Sequence, residues 1–282
     1  MARNNGVLIP VCAVLMAAAG ALGQTGDPVE ELGDVSYIYA AVMGSGTYSI
    51  GERRVSMLRA PFAWTRREMT NDQAGVKWTL PVTVGYDALN YADWLDRFLE
   101  DELVTLTVLP GFEVMQAYND VWVFKPFGNL GVAYDFVRAE TILMGVLGLR
   151  MLGTWKYEDA SELRVGTSAR YAAEYQINSD RGVGFSMFEA GVDYRRDTHL
   201  RVFTKKINAG VYYRAQFFFP EWGLHEHVSN DDTDIALTHE VGVSAGLRRP
   251  FKILGIPVSR VRTGFQFGDN VRGWTFGTEF PF

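Results

Sequence analysis

From about residue 35 onward, hydrophobic and polar residues alternate along the chain with a period of two. The clearest segment is 76–86, where the even-numbered residues are apolar or aromatic and the odd-numbered residues are Lys, Thr, Pro or Gly. The same alternation recurs at 163–177 and 207–219. Because successive side chains of a strand point to opposite faces, each segment predicts a strand with one apolar face.

The alternating segments are longer than ordinary soluble strands. A soluble strand usually has about 5–6 residues, whereas a tilted strand that crosses a bilayer needs about 9–11. An even number of antiparallel strands closes into a barrel, which leaves no unpaired edge in hydrocarbon. The sequence therefore predicts an all-β fold, a closed antiparallel transmembrane β-barrel of about 12 strands over 35–282. The predicted strands are 36–49, 53–66, 74–86, 103–115, 120–137, 139–155, 161–177, 183–196, 200–219, 235–249, 257–268 and 271–282.

Two connections between the predicted strands are long. The connection 87–102 carries apolar residues at helical spacing, and 220–234 is acidic and contains two histidines. Both follow odd-numbered strands, so with a periplasmic N-terminus both are predicted on the cell exterior. We expect the helical part of 87–102 to pack on the barrel rim; the alternatives are that it lies on the outer leaflet or binds a partner.

Four prolines lie within the predicted strands. They are Pro61, Pro81, Pro110 and Pro126. Since proline removes one hydrogen bond of a strand ladder, we expect some of them to mark strand ends or bulges. Pro81 is the exception, because it interrupts the clearest alternating segment.

The N-terminal residues predict a signal peptide at 1–23. Arg3 precedes an apolar run of about 16 residues, and small residues follow at the predicted cleavage site near Gly23. The run is shorter than the roughly 20 residues of a spanning helix, so we favour a signal peptide over a membrane anchor. Residues 24–34 are predicted to form a short periplasmic or lumenal segment, and the apolar stretch 35–43 could start inside the lumen.

Composition narrows the function classes. Cys12, the only cysteine, lies in the predicted signal peptide, so the mature chain has no thiol chemistry. The net charge of −6 argues against a nucleic-acid partner. Mean hydropathy is −0.03, as in a soluble protein, but spanning strands expose only every second residue to lipid. A soluble secreted β-sandwich is kept as an alternative.

The last predicted strand has an aromatic face. Trp274, Phe276, Phe280 and Phe282 share one parity, which predicts that all four rings meet lipid. The spacing of Gly277, Phe280 and Phe282 resembles the terminal signal by which bacterial outer-membrane barrels are recognised for insertion. This resemblance implies that outer-membrane lipid and the barrel-assembly machinery are partners.

Charged residues occupy the polar parity of most predicted strands. An Arg or Lys at the bilayer midplane costs about 2–4 kcal/mol, so these side chains are predicted to point into the lumen. Because both signs occur, we expect ion pairs that brace a narrow interior, with small solutes or ions as candidate ligands. The predicted lumenal charges are Lys77, Glu113, Lys125, Asp135, Arg150, Arg164, Arg170, Glu174, Glu189, Asp193, Arg195, Arg214, Glu240, Arg248, Arg260, Arg262 and Glu279.

The histidines give little support for chemistry. His225 and His227 lie in an acidic loop that could hold a metal, although a solvated loop is favoured. The only His-x-Ser pair, His227 with Ser229, lies in the same loop, and His239 lies on the apolar parity of its strand. No catalytic residue and no cofactor is predicted. An outer-membrane barrel enzyme that acts on envelope lipid or peptide is kept as an alternative.

The alternation, the strand number and the ending at Gly277, Phe280 and Phe282 together resemble the solitary autotransporter-like β-barrel domains of the bacterial outer membrane. The resemblance implies architecture over 35–282 and carries over no functional residue. Autotransporters secrete a large N-terminal passenger, whereas only about ten residues separate the predicted cleavage site from the first strand. The expected function is therefore a non-enzymatic narrow channel or a structural barrel.

Overall fold

A computed structural model describes residues 42–50, 53–87, 103–136, 138–158, 161–178, 181–202, 205–219, 237–253, 256–268, 271–278 and 280–282. The predicted signal peptide 1–23, the segment 24–34 and the connections 88–102 and 220–236 lie outside these ranges. The predictions made for those four stretches therefore stay predictions.

The described residues form one antiparallel sheet of thirteen strands. The first strand pairs with the last, for example Thr47 with Trp274, so the sheet closes on itself. The strands are β1 (Ser45–Ile50), β2 (Arg53–Arg67), β3 (Gly75–Asp87), β4 (Leu103–Val108), β5 (Gly111–Ala117), β6 (Trp122–Asp135), β7 (Glu140–Lys156), β8 (Ser161–Gln176), β9 (Arg181–Val202), β10 (Lys205–Phe219), β11 (Leu237–Ile253), β12 (Ile256–Gly268) and β13 (Val271–Gly277).

Two of these strands share one place in the barrel. Both β4 and β5 pair with β3 on one side and with β6 on the other. They are two halves of one barrel strand, and the barrel has twelve. The predicted closed barrel of about 12 strands is confirmed, and the two-sheet sandwich is wrong, because a single sheet closes on itself.

Pro81 is accommodated by a side-chain amide. The Leu109 N–H donates to the Pro81 carbonyl at 3.1 Å, but Pro81 has no N–H to return the bond. The Leu109 carbonyl accepts instead from the Asn129 side-chain amide at 3.0 Å, and the same nitrogen donates to Thr79 Oγ1 at 3.0 Å. The amide of Asn129 therefore replaces the missing ladder bond beside the break between β4 and β5.

The other three prolines also lie where a missing N–H is tolerated. Pro61 faces Pro81 across β2 and β3. Because Pro81 directs its carbonyl toward Leu109, the two prolines form a non-hydrogen-bonded pair. Pro110 is the last residue of the break between β4 and β5, so it lies outside both strands. Near Pro126 the ladder between β5 and β6 is interrupted, as expected for a strand proline.

The two ends of the barrel differ. We call the end that carries the connections 88–102 and 220–236 the upper end, and the opposite end the lower end. The antiparallel order places both long connections at the same end, as the strand parity predicted. No described helix has the length and apolar composition to span a membrane.

The outward face of the wall is apolar, with aromatic side chains toward both ends. At mid-height the exposed side chains include aliphatic ones, such as Leu130 at 72% and Val211 at 57% exposure, and a few aromatic ones, such as Phe276. Aromatic belts around an apolar band are typical of transmembrane barrels. The exposed aromatics include Trp64, Trp78, Tyr118 and Tyr157 toward the lower end, and Tyr134, Phe136, Tyr175, Phe219 and Phe267 toward the upper end.

The first and last strands are shorter than predicted. Instead of 36–49, the first strand is Ser45–Ile50, and the preceding Val42 and Met43 are helical; residues 36–41 lie outside the described ranges. Instead of reaching residue 282, the last strand stops at Gly277. The described residues next to the two shortened strands, Val42 and Met43 before β1 and Phe280 and Phe282 after β13, are buried inside the barrel.

Candidate functional site: the barrel lumen

The upper lumen contains a cluster of buried apolar side chains. Ile142, Met144 and Met187 of the wall are 0–2% exposed, and they belong to one buried cluster with Val42 and Met43. The expectation that the stretch before the first strand starts inside the lumen is confirmed for Val42 and Met43. The upper lumen therefore has an apolar core made from the wall and from residues before β1, beside buried polar side chains such as Glu174 and Gln216.

A ladder of alternating charges crosses the centre of the lumen. It runs over five neighbouring strands, β8 to β12, and its members are Arg170, Glu189, Arg214, Glu240 and Arg262. Arg214 lies between the two carboxylates: its Nη1 is 3.0 Å from Glu189 Oε1 and its Nη2 pairs with Glu240. Arg262 Nη1 is 2.7 Å from Glu240 Oε1. We call these five residues the central ladder.

The central ladder is buried and extensively hydrogen-bonded. Glu189 and Glu240 are 0% exposed, and burying such charges requires partners for most of their polar atoms. Glu240 Oε1 accepts from the Tyr212 hydroxyl at 2.6 Å and from Thr275 Oγ1 at 2.6 Å. Because Thr275 belongs to β13, the ladder links the long central strands to the strand that closes the barrel.

Amides extend the ladder toward the upper end. Gln216 Nε2 donates to Glu189 Oε1 at 2.8 Å, and its Oε1 accepts from Thr238 Oγ1 at 3.1 Å and from Gln266 Nε2 at 3.0 Å. Gln216 and Gln266 are both 0% exposed. The sequence analysis selected charged residues only, and it missed these two amides although both lie on the polar parity of their strands.

The opposite side of the lumen carries a separate ion pair. Arg150 Nη1 on β7 is 2.6 Å from Glu113 Oε2 on β5, and the guanidinium lies over the Phe127 ring at 4.0 Å. Lys77 lies directly opposite Glu113 in the pairing of β3 with β5. Arg59 also faces inward, since its partner across the strands, Thr83, is 3% exposed. Sequence analysis missed Arg59 because arginines occupy both parities of β2.

The residues after Gly277 turn into the lumen below the central ladder. Phe280 and Phe282 are each 6% exposed, and their rings pack together at 5.0 Å between centroids. They form a cluster with Tyr212 of β10 and Leu152 of β7, and Lys125 Nζ donates to the Phe282 main-chain oxygen at 3.2 Å. The prediction that Phe280 and Phe282 face lipid is therefore wrong, while Trp274 and Phe276 are exposed on the outer face at 52% and 54%. The role of Gly277, Phe280 and Phe282 as an insertion signal stays a prediction.

Two wall glycines make room for this aromatic pair. A Cβ at Gly166 would lie 2.5 Å from the Phe282 Cβ, and a Cβ at Gly191 would lie 3.0 Å from the Phe282 ring. Any larger residue at Gly166 would collide with Phe282 where it now lies. The lumen thus has a slot shaped for the two phenylalanines.

A second group of charges lies below the aromatic pair. Arg195 Nη2 is 2.6 Å from Asp193 Oδ2, and Arg164 pairs with Glu162. Arg260 Nη1 donates to Ser244 Oγ at 2.6 Å and its other terminal nitrogen contacts Asn208. We call this group the lower cluster; it is more exposed than the central ladder, with side-chain exposures of 29% for Arg164 and 21% for Glu162.

Two further acidic residues that the sequence placed in the lumen lie on β6 and β8. Asp135 and Glu174 are buried at 2% and 4% exposure. The Asp135 carboxylate accepts from the Arg138 N–H at 3.0 Å. The side chain of Arg248 and all of Glu279 lie outside the described residues, as do His225, His227 and Ser229.

The described histidine side chain faces outward. The Tyr213 hydroxyl and His239 Nδ1 are 2.7 Å apart on the outer surface, and the imidazole packs against Phe267. His239 is therefore interfacial, as its parity predicted. Among the described residues, no group of three or more His, Cys, Asp or Glu side chains could hold a metal ion.

Comparisons with known proteins bear on the fold. No protein-family model matches the chain, and no curated protein is similar to it in sequence. The solved structure of the β domain of the Bordetella autotransporter BrkA is similar, with a TM-score of 0.51 and 9% sequence identity. The alignment covers 82% of this chain and 93% of that chain. The chain thus has the fold of an autotransporter β domain, as the sequence resemblance implied.

Proposed function

We propose that the protein is an integral β-barrel of the bacterial outer membrane, non-enzymatic, with a lumen closed by its own side chains. In this proposal it is a structural barrel of the envelope rather than an open pore. The observation that carries the proposal is the burial of inward-facing side chains at three successive levels of the lumen, in the upper apolar cluster, the central ladder and the aromatic pair.

Burial of inward side chains supports a closed lumen because a water-filled pore would expose them. In the upper layer Ile142 is 0% exposed, in the central ladder Glu240 is 0% exposed, and below it Phe282 is 6% exposed. Barrels of small strand number fill their interiors with side chains. Water-filled channels become the rule only in larger barrels of about 16–18 strands.

The outer face supports the membrane location. Val211, Val241 and Val243 are 51–57% exposed in the middle of neighbouring strands. An apolar surface of this extent in water would be an aggregation site, whereas lipid makes it favourable. The charged side chains of the central ladder face the opposite way, where they do not meet lipid.

We assign no reaction to the barrel because the carboxylates of the central ladder are paired with arginines. Each carboxylate of the central ladder is bound to arginine, so neither is a free general base in this arrangement. The described histidine, His239, lies on the outer surface. These observations favour a structural role over a barrel enzyme.

Conductance of the refolded protein in a planar bilayer tests the proposal. We expect no steady current steps from protein whose folding is verified by its heat-modifiable migration on gels, with a general porin as positive control. Steady, salt-dependent steps would overturn the closed lumen and establish the narrow channel instead. Recovery of the expressed protein only in the soluble periplasmic fraction would overturn the membrane location.

A further inference from the structure

Buried hydrogen-bond donors without an acceptor meet on the inner face of β7 and β8. Ser168 Oγ, Arg150 Nε and Arg170 Nε have no hydrogen-bond partner among the described residues. Ser168 lies directly opposite Arg150 in the pairing of the two strands, and Arg170 lies two residues farther along β8 on the same face. Opposite side chains of neighbouring strands are about 5 Å apart at Cβ, and diagonal ones are about 7–8 Å apart. The three donors therefore border one small space in the lumen.

This space is buried, so its donors need a partner. Ser168 is 1% exposed, and the side chain of Arg170 is 8% exposed. Nearly all buried polar groups of native proteins are hydrogen-bonded to protein or to a bound molecule. Three other lumenal hydroxyls, those of Thr238, Ser244 and Thr275, each contact a polar side chain. The hydroxyl of Ser168 differs from them, and the missing partner is the first indication of a bound group.

The charges around this space do not balance. Four arginines of the central lumen share three carboxylates. The contacts are Arg150 with Glu113, Arg170 and Arg214 with Glu189, and Arg214 and Arg262 with Glu240. Arg59 also acts electrostatically on Arg170. Because a buried charge without a counter-charge is strongly unfavourable, one further negative charge would complete this layer.

The one carboxylate directly opposite Ser168 is already compensated. It belongs to Glu189 on β9, on the side of Ser168 that faces away from β7. Glu189 contacts Arg170 and Arg214 and accepts from Gln216 Nε2 at 2.8 Å. On the β7 side, Glu113 contacts Nη1 of Arg150, which leaves Nε of that guanidinium available. The space for a further negative charge is therefore on the β7 side of Ser168.

The chemistry of the donors favours a small anion. Guanidinium N–H groups only donate, and a serine hydroxyl can donate. Water could accept from them, but a neutral molecule would leave the positive charge uncompensated. The Phe127 ring lies under the Arg150 guanidinium at 4.0 Å, and a Cβ at Gly148 would lie 2.7 Å from that ring. This apolar wall leaves room for a small ion rather than for a large organic one.

We propose that one monovalent anion of about the size of chloride binds between Ser168 and Arg150, beside Arg170. The Ser168 hydroxyl and Arg150 Nε donate to it, and its charge offsets the excess of arginine in the central lumen. The ion is taken from the surrounding solution when the barrel closes. This inference rests on the barrel with a closed lumen, because water in an open pore would hydrate the same donors.

The chloride dependence of unfolding tests the site in protein folded into lipid vesicles. Chloride is exchanged for gluconate, which is too large for the site, at constant ionic strength, so that screening stays the same. An ion that binds only the folded state raises the folding equilibrium constant in proportion to its concentration above Kd. A plot of the logarithm of this constant against that of chloride should therefore have a slope of about one. A slope of zero would overturn the site and leave water as the partner of the donors.

Ser168→Ala locates the ion. The change removes one donor to a charged group, so the same slope should appear only at chloride concentrations at least about tenfold higher. Ser244→Ala is the matched control, because its hydroxyl is lumenal but binds Arg260 in the lower cluster; its chloride response should equal that of the unchanged protein. If Ser168→Ala does not fold, Arg150→Lys replaces it, since lysine keeps the charge beside Glu113 and lacks Nε. Equal responses of the test variant and the control would overturn the site.

Bromide identifies the bound group directly. In crystals of the protein folded in bromide, an anomalous peak is expected between Ser168 Oγ and Arg150 Nε, and density without an anomalous signal there would mean water and overturn the proposal. The conductance measurement stays separate. A conducting barrel with a chloride slope of about one contradicts only the closed lumen, whereas a silent barrel with a slope of zero contradicts only the anion site.

Discussion

The wall from β7 to β10 and the seam between β13, β1 and β2 belong to one sheet but are held together differently. The wall strands have 15 to 22 residues, and their ladders continue over most of that length. The seam strands β1 and β13 have 6 and 7 residues. Long, continuous backbone ladders therefore hold the wall strands together. The short seam strands are also held by side-chain contacts in the lumen.

The comparison shows how a short seam is stabilised. Thr275 of β13 donates to Glu240, and the central ladder connects that carboxylate back to the wall. Tyr48 of β1 is 0% exposed and its hydroxyl contacts the Met43 carbonyl at 3.3 Å. The interior thus carries part of the closure that the backbone carries elsewhere.

Glu240→Gln should give the largest loss of stability. The change removes the charge that pairs with Arg214 and Arg262 while it keeps the side-chain volume. Breaking a buried ion pair costs about 3–5 kcal/mol, because the partner charge remains buried without compensation. Urea unfolding in lipid vesicles, followed by tryptophan fluorescence, measures the change. A loss below about 1 kcal/mol would mean that the ladder does not stabilise the barrel.

Val211→Arg tests the outer face of the wall. Val211 points outward at mid-height and is 57% exposed. A charge on the lipid face near the midplane should lower the free energy of unfolding by about 2–4 kcal/mol. The same vesicle assay measures it, and Val211→Leu is the control, with an expected change within about 0.5 kcal/mol. Equal stability of the two variants would argue against a lipid-facing surface.

Gly166→Ala tests the slot below the ladder. The added Cβ would collide with Phe282, and overpacking of this kind costs about 1–3 kcal/mol. Because Phe282 is the group it meets, the cost should be smaller in the background of Phe282→Gly, which also removes the Cβ that would lie 2.5 Å away, with a coupling of at least about 0.5 kcal/mol in a double-mutant cycle. Gly145→Ala is the control, since its Cβ would meet nothing closer than 3.7 Å. Additive losses would place Phe282 elsewhere.

Asn129→Ala tests how the wall tolerates Pro81. Without the amide, the Leu109 carbonyl loses its replacement donor, which should cost about 1–3 kcal/mol for a buried unsatisfied group. Adding Pro81→Ala should recover part of the loss, because an alanine supplies the backbone N–H that the proline lacks. Unfolding curves of the two single variants and the double variant measure the recovery, and a double variant no more stable than Asn129→Ala would refute the explanation.

Glu162→Gln in the lower cluster should have the smallest effect. Glu162 is 21% exposed and its partner Arg164 is 29% exposed, so water already screens the pair. Ion pairs of this kind contribute about 0–1 kcal/mol, less at high salt. Unfolding at low and high salt measures the effect. A loss as large as that of Glu240→Gln would mean that the lower cluster shares the role of the central ladder.

The alternation along the sequence was enough to predict the closed barrel and the outward face of most strands. Alternation with a period of two is a local property of the chain, and a lipid-facing charge is too unfavourable to leave the parity of Arg214 or Glu240 ambiguous. The same argument assigned His239 to the outer surface. It did not assign Arg59, because in β2 arginines occur on both parities.

The pairing of lumenal residues and the course of the two ends of the sheet depend on contacts between strands that are remote in the sequence. Arg214 and Glu240 meet across neighbouring strands, and Glu113 meets Arg150 on the other side of the lumen, because strand register brings distant residues together. The alternation that put Trp274 and Phe276 outside also favoured the wall for Phe280 and Phe282, yet the slot at Gly166 and Gly191 draws them inside. The local alternation of apolar and polar residues predicts which face of a strand a residue prefers. Whether the residue lies in a strand at all depends on the space between side chains of strands that are remote in the sequence.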